Sequence, residues 1–410
     1  MNKPDITTSF TLPCGVVLKN RIAKSAMSEN LGTANYTANK ELVTLYHRWA
    51  LGGTGLLITG NIMIDRHALG EPGNVVIEKN HSENYLKEWA SSATSNNTEA
   101  WVQLNHPGKQ SPRFLSPLPV APSAIALKPP LNKMFNKPKE LTEFEIAEII
   151  LRFGWAAKVV KESGFTGVQI HGAHGYLVSQ FLSPLHNQRT DQWGGSLENR
   201  MRFVVEVYKK IRETVGAQFP VSIKLNSADF QKGGFTEEES MEVVSTLSDL
   251  GMDLIEISGG TYEAPEMTGV KARASTLKRE AYFLDYCEKV RLKCKVPLML
   301  TGGFRTREGM NSALASGACD FIGMARSLAV NPDFSKDLIQ GKTVKSEIKI
   351  LTTGFKTLDH LFPLEITWYA QQLALMGKGK EPNPHLNVHL SIFMALITIG
   401  RKSLKRVRNS

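Results

Sequence analysis

Cysteine is scarce in this chain of 410 residues, with four in all: Cys14, Cys287, Cys294 and Cys319. None forms a C-x-x-C pair, so neither a zinc nor an iron–sulfur site is suggested. Free thiols in a reducing compartment are the simplest account, and a cytoplasmic location follows. The N-terminus, MNKPDITTSFTLPCG, has no apolar h-region, so no secretory signal is expected. No apolar run is long enough to span a bilayer. Low-complexity tracts are absent. So is the G-x-G-x-x-G fingerprint that a doubly wound dinucleotide-binding sheet would carry after an early strand. The net charge of +10 is unevenly spread: from Lys378 onward seven cations face Glu381 alone, a net +6 of the total. The body of the chain is therefore only mildly basic, which argues against a nucleic-acid partner.

What is present is a recurring unit. A short β-branched run is followed by a polar or glycine-bearing loop and then a longer amphipathic segment. Strands are expected at 21–27, 56–60, 100–104, 167–171, 221–225, 254–258, 297–301 and 321–325. Helices are expected between them at 38–51, 83–95, 142–163, 197–215, 236–250, 279–292, 307–316 and 332–340. Thr142 with Glu145, and Thr236 with Glu239, read as capping boxes at helix starts. Eight strands alternating with eight helices fit a (β/α)8 barrel over residues 1–340. A proline-rich excursion interrupts it at about 105–140. Residues 341–410 form an extension with helical stretches and no strand of their own.

The most informative stretch is 167–202, GVQIHGAHGYLVSQFLSPLHNQRTDQWGGSLENRMR. A buried strand hands over to a loop near His171, and in a parallel barrel that handover carries the chemistry. Two neutral imidazoles, His171 and His174, are good donors to an oxyanion. The phenol of Tyr176 is a proton donor to carbon. Taken alone, the histidines would read as loop residues making local hydrogen bonds.

The run of HGAHGYL, QFLSP, N-R-T-D and WGGSLENR in order resembles the signature of the old yellow enzyme family of FMN-dependent ene reductases. That resemblance implies non-covalent FMN, reduced by NADH or NADPH. It implies phosphate binding at the ends of the seventh and eighth strands, TGGF and FIGMAR, through Gly302, Gly303, Gly323 and Arg326. It places Ala26 and Met27 against the ring, and Ser28 on the flavin carbonyl next to N5, where many relatives carry Thr or Cys. Gly60 ends the second strand where relatives often have Ala. Gln103 reads the pyrimidine edge, while His106 serves structure. Lys224 stands where the family has Arg, near flavin N1 and C2=O; it keeps the charge and loses the bidentate geometry. The excursion implies a partial hairpin over the active-site face. Phe304, Trp193 and Met27 are apolar candidates for the pocket.

The resemblance further implies a ping-pong cycle. His171 and His174 polarise an electron-poor small-molecule acceptor, and Tyr176 protonates its α-carbon. The larger relatives with an iron–sulfur cluster and a second dinucleotide domain are not expected, because no cysteine cluster follows the barrel. A non-catalytic FMN barrel, acting as flavin carrier or regulatory subunit, is the alternative, and the His–His–Tyr set argues against it. The apolar run 390–399, followed by RKSLKRVR, has the composition of a helix lying in an anionic membrane interface. Docking of that helix on the barrel or on a partner subunit is the competing reading, so peripheral membrane contact and homo-oligomerisation both stay open.

Overall fold

The computed structural model of the protein describes residues 3–79, 84–264, 280–346, 348, 351–355 and 364–397. Eight strands close into one barrel. In chain order they are Ile22–Lys24, Leu56–Met63, Glu99–Asn105, Gly167–Gly172, Val221–Asn226, Leu254–Ser258, Leu298–Thr301 and Phe321–Met324. Every neighbouring pair is parallel, and the eighth strand closes on the first. These are the expected strands to within a few residues. The expected helices are present too, from Lys40–Leu51 to Phe334–Ile339; residues 83 and 279, where two were expected to begin, lie outside the described set. Both capping boxes form, with the Thr142 and Thr236 side chains accepting from the amides of Glu145 and Glu239.

Period-two alternation explains the section of the barrel. Outward-facing Ile22, Leu57, Val102, Val168, Ile223, Ile255, Leu298 and Ile322 pack against the helices in the main core. Inward-facing Ala23, Leu56, Ile58, Trp101, Leu254, Met299 and Phe321 form a second cluster inside the barrel. Gly167 has no room for a side chain there, since a Cβ would sit 2.5 Å from the Trp101 ring. A hairpin of Phe10–Thr11 and Val17–Leu18 closes this end, with Leu12 and Leu18 joining the inner cluster. Two residues further along in six of the strands the inward side chain turns polar: Ser25, Gln103, Gln169, Lys224, Glu256 and Thr301, all but Thr301 buried.

The excursion is tied down by a bridge between Pro112 and Phe135 and by Val120–Ala121 pairing with Lys139–Glu140. The first pairing is antiparallel, as a partial hairpin requires, and the second is parallel, so the segment also crosses over itself. The extension is also more integrated than its composition indicates. Helix Leu364–Gly377 packs on Lys40–Leu51, and Trp368, Tyr369, Leu373 and Met376 belong to the main core. Among the described residues no helix is long and apolar enough to cross a membrane.

Candidate active site

The fourth strand ends on His171 and Gly172, and the chain then turns sharply. His174 takes a left-handed conformation (φ 62°), as does Gly175 (φ 78°). The turn stacks three rings: His171 lies 5.2 Å from His174 and 4.8 Å from Tyr176, both edge-on. The His171 Nδ1 accepts from the Ala173 amide at 3.3 Å, so its ring proton is on Nε2, which has no protein partner among the described residues. His174 is held at both ends. Its amide donates to Asn226 Oδ1 (3.2 Å), and its Nε2 lies 2.8 Å from Ser258 Oγ. The Tyr176 hydroxyl lies 2.7 Å from that of Tyr262.

Burial sets the protonation of this group. It pushes His174 down to about 3, with the Lys224 ammonium adding to the effect. His171 is driven well below the ordinary histidine value by burial, then by His174 and Lys224. Both rings are neutral donors at pH 7. Burial and the neighbouring Tyr262 hold the Tyr176 phenol well above its usual range, so it is fully protonated.

Next to the rings lies the polar layer. Gln103 Nε2 donates to Gln169 Oε1 (2.8 Å), and Gln169 Nε2 donates to Glu256 Oε2 (2.9 Å). Glu256 Oε1 takes Thr301 Oγ1 at 2.8 Å and the Lys224 ammonium at 3.0 Å. Thr301 in turn meets Ser25 Oγ at 2.8 Å. Lys224 and Glu256 sit side by side in register on the fifth and sixth strands.

At the end of the first strand Ala26, Met27 and Ser28 are half-buried. The Ser28 hydroxyl donates to Glu71. Gly60 is not at a strand end, since the second strand runs on to Met63 past a bulge between Ile58 and Asn61. Its amide donates to Glu29 Oε1 at 2.7 Å, and a Cβ would run into Glu29 and Met27. At the seventh strand's end Gly302 and Gly303 have φ of 117° and 95°, the conformation glycine tolerates. A Cβ on Gly303 would meet the Glu280 carbonyl at 2.6 Å. Gly323 faces Thr301 and Ser25 with no space for a side chain. Arg326 opens the short helix Arg326–Val330 and bonds both carboxylate oxygens of Glu365, at 3.0 and 3.2 Å.

Thus His171, His174, Tyr176, Gln103 and Lys224 come together at one barrel mouth, with Gly302, Gly303, Gly323 and Arg326 on the adjoining strand ends. Trp193 does not join them. It bonds Asp191 and Asn187 within its own loop and packs in the outer core. His106 is buried, and its Nδ1 accepts from the Gly108 amide within its own loop. Four residues had escaped the sequence reading: Gln169, Glu256, Tyr262 and Glu71. Glu256 had a usable signal, a lone carboxylate inside the apolar run LIEIS. Tyr262 and Glu71 lie in loops and carried none.

The donor set fits a flavin mononucleotide. A half-satisfied amide and an ammonium suit the pyrimidine edge, and glycine amides with a guanidinium suit a phosphate. Residues 11–344 match the NADH:flavin oxidoreductase / NADH oxidase family. An NADH-dependent flavin oxidoreductase of Hypocrea jecorina is 38% identical over 89% of this chain and 94% of its own length. An NADPH dehydrogenase of Clostridium acetobutylicum is 34% identical over 77% of this chain and 89% of its own. Among solved structures, an old yellow enzyme homologue from Zymomonas mobilis shares the fold at 23% identity. Its TM-score is 0.71, covering 86% of this chain and 98% of that one.

Proposed function

The chain belongs to the NADH:flavin oxidoreductase / NADH oxidase family, and from that membership we propose that its barrel mouth reduces an electron-poor alkene or related acceptor. It is an FMN-dependent oxidoreductase that draws on NADH or NADPH. When bound, FMN supplies two-electron carriage between nicotinamide and acceptor. Gln103 and Lys224 hold its pyrimidine edge, Ala26, Met27 and Ser28 its ring side, and Gly60 gives that side room. Gly302, Gly303, Gly323 and Arg326 hold its phosphate. The His171 Nε2–H donates to the acceptor's carbonyl or nitro oxygen and stabilises charge gathering there. His174 shares that task through the ring nitrogen not turned to Ser258. Tyr176 gives its phenolic proton to the acceptor carbon α to that group.

The observation that carries this reading is the neutral, fixed His171 donor set edge-on at 4.8 Å from a protonated Tyr176. A flavin carrier needs neither. The purified protein should be yellow and release FMN on denaturation. It should oxidise NADH or NADPH faster when cyclohexenone or a nitroalkene is added. A flavin-loaded protein indifferent to every such acceptor would favour the carrier instead, and a colourless one that takes up no FMN would remove both readings.

The apolar tail supports a surface contact. In helical residues 388–397, Leu390, Phe393, Met394, Leu396 and Ile397 are 40–60% exposed. The face turned to the protein carries Ser391, whose carbonyl accepts from Gln371. Docking on the barrel would have buried the apolar residues. An anionic lipid surface is the occupant that matches them together with the cations of 401–408, which lie outside the described residues.

A further inference from the structure

We propose that Glu256 is a positioning residue for the flavin's pyrimidine side: through Gln169 it fixes which end of the Gln103 amide faces the cofactor, and it holds Lys224 as half of an ion pair. The proposal rests on the reading that this barrel mouth holds FMN.

The polarity follows from hydrogen-bond chemistry alone. A carboxylate offers only acceptors, so the neighbouring amide must turn its NH2 towards it. Gln169 does so at 2.9 Å, which leaves its oxygen facing Gln103. Gln103 must then donate, and does at 2.8 Å. What remains without a partner on Gln103, among the described residues, is its amide oxygen and one N–H. That pair of groups complements an imide N–H flanked by a carbonyl, as the flavin pyrimidine presents. Replace the carboxylate by a group that can donate, and the whole relay can reverse.

The second effect is electrostatic. Lys224 and Glu256 are 3.0 Å apart, with side chains 4% and 0% exposed. A lone buried ammonium acts on its surroundings as a full charge. The same ammonium against a carboxylate acts as a dipole, whose field falls off faster. Negative charge that collects on the flavin's N1–C2=O side on reduction is then stabilised less than a free lysine would stabilise it. Thr301 Oγ1, at 2.8 Å, keeps the carboxylate from rotating away.

The test begins with the flavin-loaded wild-type protein; if that protein holds no FMN, it is the functional reading that falls. Sulfite, which adds to flavin N5 and leaves negative charge near N1, is titrated by bleaching of the visible band, with the midpoint potential measured in parallel. In Glu256→Gln, sulfite should bind about tenfold tighter, the equivalent of one pK unit of charge interaction, and the potential should rise. Lys224→Met should weaken sulfite binding, and adding Glu256→Gln to it should recover part of that loss, since the carboxylate's own charge opposes negative charge on the flavin. Gln169→Leu leaves the ion pair in place, so it should loosen FMN and leave sulfite affinity unchanged. Unaltered sulfite affinity in Glu256→Gln, or sulfite binding in Lys224→Met as tight as in the wild type, would overturn the electrostatic half. Undiminished FMN affinity in Gln169→Leu would overturn the polarity half. Should Glu256→Gln fail to fold, the double variant with Lys224→Met, which removes both buried charges together, is compared with Lys224→Met alone: equal sulfite affinity would overturn the electrostatic half, and Gln169→Leu still decides the polarity half.

Discussion

Burial sets the proton inventory of the barrel mouth residue by residue. Tyr176 is pushed up by its surroundings, so it stays a proton donor through neutral and mildly alkaline pH. Tyr176→Phe should slow enone reduction by roughly 10²–10⁴-fold, the usual worth of a general acid, and leave flavin reduction by NAD(P)H almost intact. Stopped-flow measurement of the two half-reactions checks this, and equal losses in both would make Tyr176 a structural residue. Histidines elsewhere report on stability. His106 and His186 are buried, and burial lowers them to about 4 and about 3. Their folded values lie below the ordinary histidine value, so the unfolded chain takes up protons first. Stability is therefore intact above about pH 6.5 and lost as pH falls towards those folded values, by about 1 kcal/mol per unit for each histidine. Urea midpoints at pH 7.5 and 5.5 should differ accordingly; identical midpoints would contradict the assignment.

At the scale of the element, helix caps and the C-terminal extension stabilise the fold in different ways. Thr142 satisfies one of the orphan amides of helix Glu143–Glu162, and Glu145 returns a bond to it. Thr142→Ala should cost about 1 kcal/mol in chemical denaturation, with no change in flavin spectrum. Helix Leu364–Gly377 behaves as part of the barrel. Trp368 is buried, donates to the Leu386 carbonyl at 2.9 Å, and packs edge-on with Tyr369. Trp368→Ala should cost about 3–5 kcal/mol. Retention of FMN should fall with it, because the same helix presents Glu365 to Arg326. A wild-type melting temperature for this variant would show the helix to be an independent appendage.

The whole molecule combines a barrel closed by apolar packing with a short exposed apolar helix. Full-length protein should co-sediment with anionic vesicles at low salt. Binding should weaken as salt rises, since charge attraction is screened over ~8 Å at physiological ionic strength. Truncation after Asn387, which keeps the Leu386 carbonyl that Trp368 uses, should abolish the binding and leave flavin content and enone turnover largely unchanged. Absence of binding at low salt would end the membrane reading. A mass change on truncation, from dimer to monomer, would assign the helix to a second copy of the chain.

Much of this protein was determined by the sequence alone. Alternation in short runs such as GVQIH and LIEIS dictates strands with two faces, and the capping threonines mark helix starts. The unbroken stretch from His171 to Arg202 sets the family, and with it the neighbourhood of His171, His174 and Tyr176. Those features are local, so they are legible locally. Tertiary structure decided what depends on meetings across the barrel. Glu256 is 32 residues from Lys224 and 87 from Gln169 in the chain, and only the pairing of consecutive strands puts them within hydrogen-bonding distance. The Tyr262 hydroxyl reaches Tyr176 from a loop 86 residues away. Trp193 shows the converse: its place beside the signature suggested the pocket, yet packing took it into the outer core. Strand pairing converts separation along the chain into contact, and no periodicity read along one segment records which distant side chain will share its layer.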